Sequence, residues 1–330
     1  MIVSSAPGRA GIIGNPSDMY GGSVISCTTV ERAQVVIEEC DQLVFDAGGQ
    51  TLPVRSKEDL RLRGDRFDVA RAVIGFLELE GLKFKLSFRS DIPVQAGLSG
   101  STALLVATLN ALLALTNKQL NPFRRAELAR EIELDFMKVV CGYQDAYMCT
   151  FGGINFMDFA DKQFYLGLEK EPYGTVESLA PYIDKFPFVL AHTGLQRVSG
   201  AVHKPIRDRW LEGERKVRET YVRMAHLARM GKKALIDGDW EKLGALMNEN
   251  HRLTRELGGS GPKNEELIEV ALDCGALGAK LAGAGGGGTI IALHPQPEEM
   301  IEALKEAGAE RILFPKPVEG VKTEAVDGGK

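Results

Sequence analysis

Spacing that would hold a metal through cysteine is missing from this chain. Its five cysteines, Cys27, Cys40, Cys141, Cys149 and Cys274, are scattered, odd in number and without histidines at ligand intervals. Neither a zinc knuckle nor a disulfide framework is expected, and a reduced, cytoplasmic setting is. A large charge excess is also missing. Lys and Arg total 40 against 45 Asp and Glu, a net charge of -5, which argues against a generic binder of nucleic acid or anionic membrane. Long apolar runs are lacking too. The longest, Thr102 to Leu115, contains Asn110 and falls short of the roughly 20 residues that a membrane span needs. It reads as a buried helix. The opening residues have no basic start and apolar core of a secretory leader, there is no internal repeat, and no Gly-x-x-x-x-Gly-Lys-Ser/Thr loop occurs.

What is present suits a packed globular protein. The 330 residues are 44% hydrophobic and 26% charged, enough for one large domain or two that share a cleft. Strand patterns run through "MIVSSAP", "GSVISCTTV", "AQVVIEEC", "LVFDAGG" and "KFKLSFRSDIP", with helical spacing in "DRFDVARAVIGFLELEG" between them. "NPFRRAELAREIELDFM" opens on Asn-Pro, a helix-start signature, and "GGINFMDFADKQFYLGL" returns to strand character. Composition shifts near Leu179 to Lys185. Beyond it a buried strand, "FPFVLAHT", precedes helices over Asp208–Asp237, Asp239–Leu257 and Asn264–Gly275. In the first, Val217, Tyr221, Met224, Ala228 and Leu235 share a stripe. A glycine loop, the strand "TIIALHP", the helix "PEEMIEALKEAG" and the strand "RILFPKPV" complete the pattern, and "VDGGK" is expected to fray. The expectation is two α+β domains, 1–180 and 181–330.

Two glycine-rich stretches carry chemistry. In "DIPVQAGLSGSTALL", glycines and hydroxyls stand at the mouth of a helix. Free N–H groups and the positive end of the helix dipole favour an anion there, and Ser or Thr can reach phosphate or Mg²⁺. An ordinary N-cap with small packing residues would look the same. The second stretch, "KLAGAGGGGTIIAL", formally contains Gly-x-Gly-x-x-Gly from Gly283 to Gly288. A dinucleotide fingerprint opens a helix, whereas these glycines lead into a strand, so that fold is not expected. So many glycines imply a backbone that comes close to something. A third stretch, "APGRAGIIGNPSDMYGGSVIS", sets Arg9, Asn15, Ser17 and Asp18 around a strand-turn-strand closing at Gly21-Gly22. In isolation, an ion pair at Arg9 and a turn former at Asp18 would account for it.

In this order the three stretches resemble the motifs of the GHMP small-molecule kinases. Pro7, Gly8, Arg9, Gly14, Asp18, Gly21 and Gly22 match the first motif, Pro93, Gly97, Leu98 and Ser101 the second, and Lys280 to Gly288 the third. Gly100 and Thr102 stand where the family usually has Ser and Ala. The resemblance spans nearly the whole chain. It implies a ribosomal protein S5 domain 2-like first domain, a ferredoxin-like second domain, and transfer of phosphate from ATP with Mg²⁺ to an alcohol. Pro93, Gly97, Leu98, Ser99, Gly100, Ser101 and Thr102, with Gly283, Gly285 and Gly286, would hold the nucleotide. Asp145 would be the base and Arg9 its basic neighbour, a division of labour that suits phosphoryl transfer. Ser101 and Glu133 would hold Mg²⁺, with Glu131 and Asp135 as rivals on the same acidic helix. Asn15, Ser17, Asp18, Gly21 and Gln144 would meet the substrate.

Galactokinase-like members carry Glu-His where this chain has Asn15-Pro16. "GNPSDMYGG", "GYQDAY…FGGINFMDF" and "VHKPIRDRWLEGE" look most like the glucuronokinases of the family, implying the anomeric hydroxyl of D-glucuronate as acceptor. A uronate carboxylate calls for a cation, ideally the fork of an arginine. Arg197, Lys204, Arg207 and Arg209 are candidates, Arg207 foremost, although a charged helix start would look similar. His203 is expected to be structural. Alternatives are another sugar 1-kinase (heptose, fucose, galactose or N-acetylhexosamine type), a mevalonate-pathway kinase, or a nucleotide-binding regulator without activity. The expected protein is a cytoplasmic monomer or homodimer, with no nucleic-acid or membrane partner.

Overall fold

A computed structural model of the chain describes residues 1–163, 170–195, 199–283, 285 and 287–326. The first half runs β1 (Ile2–Ile13), β2 (Ser23–Glu39), β3 (Leu43–Ala47), β4 (Gln50–Val54), α1 (Asp68–Phe76), β5 (Phe84–Ser90), α2 (Gly100–Leu115), α3 (Pro122–Glu131), α4 (Gln144–Phe151), β6 (Ile154–Asp158) and β7 (Thr175–Ser178). The second runs β8 (Phe188–His192), α5 (Ser199–Leu211), α6 (Arg215–Asp237), α7 (Trp240–Glu256), α8 (Pro262–Asp273), β9 (Gly278–Leu281), β10 (Thr289–Leu293), α9 (Glu298–Glu306), β11 (Arg311–Leu313) and β12 (Lys322–Ala325). The strands form a larger sheet ordered β12-β1-β2-β5-β3-β4, with β6 and β7 branching from β2, and a smaller one ordered β11-β8-β10-β9.

The two expected strands over residues 22–40 are one continuous β2. Its first half pairs with β6 (Cys27 opposite Ile154) and its second with β5 (Ala33 opposite Ser90), while β1 runs beside both. The pairing of β1 with β2 shifts register between Pro7 and Arg9. Gly8 fits there because a Cβ would lie 2.9 Å from both Leu98 O and Thr29 Oγ1. Such irregularities re-aim the next side chain, and here that side chain is Arg9.

Helix boundaries follow local chemistry. Asn121 caps α3, its Oδ1 accepting from Arg124 N at 2.8 Å, with Pro122 in the first turn. Asp239 does the same for α7 through Lys242 N at 3.0 Å. The helix expected over Asp208–Asp237 is instead two, α5 and α6, divided at Gly213, whose φ of +84° suits glycine. The apolar stripe of α6 is buried as expected. Helix α2 is apolar almost all round and is buried accordingly beneath β1 and β2. None of the described helices is long and apolar enough to cross a membrane.

The chain crosses the expected 180/181 division twice. Strand β12 returns from the far end to pair with β1, Ile2 opposite Ala325, and Val326 N donates to Met1 O at 2.9 Å. The rest of the expected frayed tail lies outside the described residues. One continuous apolar core joins both sheets through α2, α6 and α7, and a smaller cluster lies under β8, β10, α8 and α9.

Candidate active site

The segment that opens α4 is fixed from outside by a carboxylate. Asp18, fully buried, accepts at Oδ2 from Tyr143 N (2.8 Å) and Gln144 N (3.0 Å), and at Oδ1 from Gln144 Nε2 (3.2 Å). These are donors that a helix start leaves free. Burial and the nearby Asp145 charge push the Asp18 carboxyl above its usual range. Gly142 allows the approach, since a Cβ there would lie 2.0 Å from Asp18 Oδ2. With these donors met by Asp18, Tyr143 at the N-cap position makes no side-chain cap bond, and Asp145 stands in the first turn.

Asp145 is instead paired with Arg9. Arg9 Nε donates to Asp145 Oδ1 at 2.7 Å and Nη2 lies 2.6 Å from the same oxygen. Nη1 donates to Gly97 O (2.9 Å) and Ala282 O (3.2 Å). One buried guanidinium therefore ties the candidate base to both glycine-rich stretches. The backbone repeats the link, Arg9 N donating to Leu98 O (3.1 Å) and Gly11 N to Ala282 O (2.8 Å).

At the start of α2 the first helical bond runs from Ala103 N to Ser99 O (2.8 Å). The N–H groups of Gly100, Ser101 and Thr102 lie ahead of it, without intrahelical acceptors. Ser99 is left-handed (φ +60°), and its buried Oγ has no partner among the described residues. Thr102 Oγ1 donates to Glu133 Oε1 at 2.8 Å. Burial, reinforced by the Asp145 charge, pushes the Glu133 carboxyl up to about 7. Glu133 sits in a widened π turn, Ile132–Phe136, that follows α3. Of its rivals, Glu131 closes α3 and Asp135 is exposed.

These groups surround a cavity of about 350 Å³ whose walls include Arg9, Asp18, Gly97, Ser99, Gly100, Ser101, Thr102, Glu133, Gln144, Asp145 and Gly283. Residues from all three motifs thus meet at one space. Other predicted residues hold the walls without lining them. Leu98 is buried behind its carbonyl, and Pro93 braces the turn through its bond from Ala96 N (3.4 Å). Gly285 (φ +89°) lies against Gly259, where a Cβ would be 1.7 Å from the Gly259 oxygen. Gly286 falls outside the described residues.

Three of the expected substrate contacts have other work. Asn15 Oδ1 accepts from Lys280 Nζ (2.7 Å) and its Nδ2 reaches Gly283 O (3.4 Å). Ser17 is fully buried, its Oγ donating to Ser23 O at 3.1 Å. Gly21, at φ +76°, ends the short turn that carries Asp18. None of the three lines the cavity. Arg207 does not line it either. Its guanidinium lies 3.4 Å from Asp208, its charge acts on the Tyr20 hydroxyl, and its buried Nε has no partner among the described residues. Arg209 is bound by Glu214 through two bonds of 2.7 Å. Lys204 is exposed, and Arg197 and the His203 side chain lie outside what the structure describes.

Sequence reasoning missed Pro16, Met19, Gln95 and Val139–Gly142 as cavity walls. It also missed the Thr289 Oγ1 bond to Ala96 O (2.9 Å), which joins the strand after the third motif to the loop of the second. Only Gly142, a glycine just before a candidate base, carried a signal that could have been read.

Residues 68–153 match the family described as GHMP kinases N terminal domain, and residues 232–310 match GHMP kinases C terminal. Probable glucuronokinase 2 of Arabidopsis thaliana is 31% identical over 96% of this chain and 90% of its own length. Mevalonate kinase of Pyrococcus furiosus is 28% identical over 98% and 99%. Among solved structures, the Lin0012 protein from Listeria innocua superposes with a TM-score of 0.79 at 20% identity, covering 98% of this chain and 99% of that one.

Proposed function

The chain belongs to the GHMP kinases and is an ATP-dependent kinase, and from that premise we propose that it phosphorylates a hydroxyl of a sugar acid, the anomeric hydroxyl of D-glucuronate first. The reading rests above all on the Arg9–Asp145 pair, which sets a carboxylate and a cation beside the free N–H groups of α2. Asp145 would accept the hydroxyl proton as the oxygen attacks the γ-phosphorus and the bond to the bridging oxygen of the departing ADP breaks, and Arg9 would steady that carboxylate and the charge gathering on the transferred group.

The residues fit a magnesium nucleotide. Ser99 offers a buried hydroxyl with no partner among the described residues, and Gly100, Ser101 and Thr102 offer N–H groups at a helix start. Ser101 and Glu133 would hold Mg²⁺, which asks for only one or two protein oxygens beside those of phosphate. The ion would neutralise phosphate charge there. Asp18 and Gln144 are left to meet the sugar, and Arg207, which stands outside the cavity wall but whose buried Nε has no partner among the described residues, is the proposed partner of the carboxylate once the sugar is bound.

Likeness to the glucuronokinases at 31% identity favours the sugar acid. Likeness to mevalonate kinase at 28% supports a second reading, in which the acceptor is also a small carboxylate bearing an alcohol. ADP release across D-glucuronate, D-glucose, D-galactose, a heptose and mevalonate separates them. Turnover should be greatest with glucuronate. Turnover limited to neutral sugars or to mevalonate overturns the assignment. In the same assay Arg207→Ala should raise KM for glucuronate far more than for a neutral sugar, and equal effects would make Arg207 structural.

A further inference from the structure

Lys280 lies on β9, almost fully buried, directly beneath the loop that carries the third motif. Its Nζ donates to three neutral oxygens, Asn15 Oδ1 (2.7 Å), Gly11 O (3.3 Å) and Leu281 O. No carboxylate pairs with it among the described residues. Three acceptors match the three donors of an ammonium, whereas a neutral amine donates only two. The pocket is therefore shaped for the charged form but holds no charge to offset it, and a buried cation without a counter-charge is costly.

The acceptors lie behind the cavity wall, beside the glycine-rich third motif. Gly11 N donates to Ala282 O, and Asn15 Nδ2 reaches Gly283 O, the residue at the cavity wall. The missing negative charge can come from that side. We propose that Lys280 is a proton-coupled positioning residue: binding of the nucleotide phosphates draws a proton from the buffer onto its Nζ, completing all three bonds and fastening the first motif to the third. This inference rests on the kinase reading of the cavity.

The groups facing Lys280 agree with this. Arg9 from β1 repels the ammonium, and burial with that repulsion holds the amine well below the usual lysine range. From α7, His251 faces it, with its ring pushed towards the neutral form by burial and bonded to Glu265 of α8 at 2.9 Å. Arg255 lies 3.4 Å from that same carboxylate. On β10 the opposing residue is Ile291, which is apolar. An anion above the glycine loop opposes the Arg9 repulsion and raises proton affinity, so nucleotide affinity must fall as pH rises through the free-state value.

Calorimetry of the whole protein with the magnesium complex of a non-hydrolysable ATP analogue tests this at pH 8, in two buffers of different ionisation enthalpy. That pH lies above the value of about 7 to which the Glu133 carboxyl is raised, and the His251 ring is already pushed towards its neutral form. Both groups are kept in the Lys280 variants, which serve as the reference for their uptake. Wild type should take up a measurable fraction of a proton per nucleotide. Lys280→Arg, which carries a permanent charge, should bind with none, and Lys280→Met should bind more weakly, also with none. If either variant fails to fold, wild type alone decides, since its affinity should weaken as pH rises towards the usual lysine range. Binding with no uptake and a flat pH profile overturns the proposal, as does uptake that persists in Lys280→Arg. Absence of any nucleotide binding by wild type would instead remove the kinase reading, and this inference with it.

Discussion

At the scale of single residues, the site depends on two aspartates with separate duties. Asp18 secures the start of α4 from below, which leaves Asp145 free to face the cavity with 26% of its side chain exposed. Asp145→Asn keeps an oxygen for Arg9 but removes the proton acceptor. Turnover should drop by about 10²–10⁴-fold, the range for a positioned general base, with nucleotide affinity nearly unchanged. Unaltered kcat would remove Asp145 from the mechanism. Gly142→Ala acts on the other aspartate by forcing a methyl group onto Asp18 Oδ2. Overpacking of this kind costs about 1–3 kcal/mol, so Tm should fall by about 1–2 °C for each of those kcal/mol in a chain of this length. A Tm within experimental error of wild type would show that the α4 start tolerates displacement.

Elements divide into those visible in the sequence and those decided by packing. Asn121-Pro122 and the Thr102–Leu115 run announce α3 and α2, because capping and apolar composition act locally. The continuity of β2 was not legible, since "ERAQ" between its halves looks like a break until β1 and β5 pair across it. Strands β4 and β7 are short, only partly buried and bordered by turns, and nothing in their patterns marks them. In the site, motif order pointed to Arg9, Ser101 and Asp145, whereas the bracing bonds of Asn15 and Ser17 were not legible, because polar residues in a glycine-rich turn look alike whether they bind substrate or hold the backbone. The π turn is a further case, since a single widened turn leaves no periodicity to detect. It sets Glu133 inward, with a carboxyl raised to about 7. An acid whose folded value lies above its unfolded value favours the fold most below the unfolded value, and that benefit is lost as pH rises to 7. In the metal-free protein Glu133→Gln should therefore gain Tm over wild type as pH is raised from about 4.5 to 8. A difference independent of pH would mean that the carboxyl titrates normally.

For the whole molecule, the glycine-rich end of the cavity is a seam between the two sheets. Arg9, Gly11, Asn15 and Thr289 all bond across it, and the apolar core continues beneath. Unfolding in urea should therefore be one transition, with far-ultraviolet circular dichroism and the fluorescence of Trp210 and Trp240 coinciding. Two separated midpoints would show that the halves fold independently. A chain cut after residue 180 loses β12 and most of the seam, and should be insoluble or partly unfolded by the same measurements.

The pairing of β1 with β12 also governs the response to force. The strands are antiparallel and residues 1 and 326 sit side by side at one corner of the sheet, so tension applied between those points would peel the ladder bond by bond instead of shearing many bonds at once. The protein should yield at low load when stretched from its ends, and resist far more when the pull is taken across the long β2 strand.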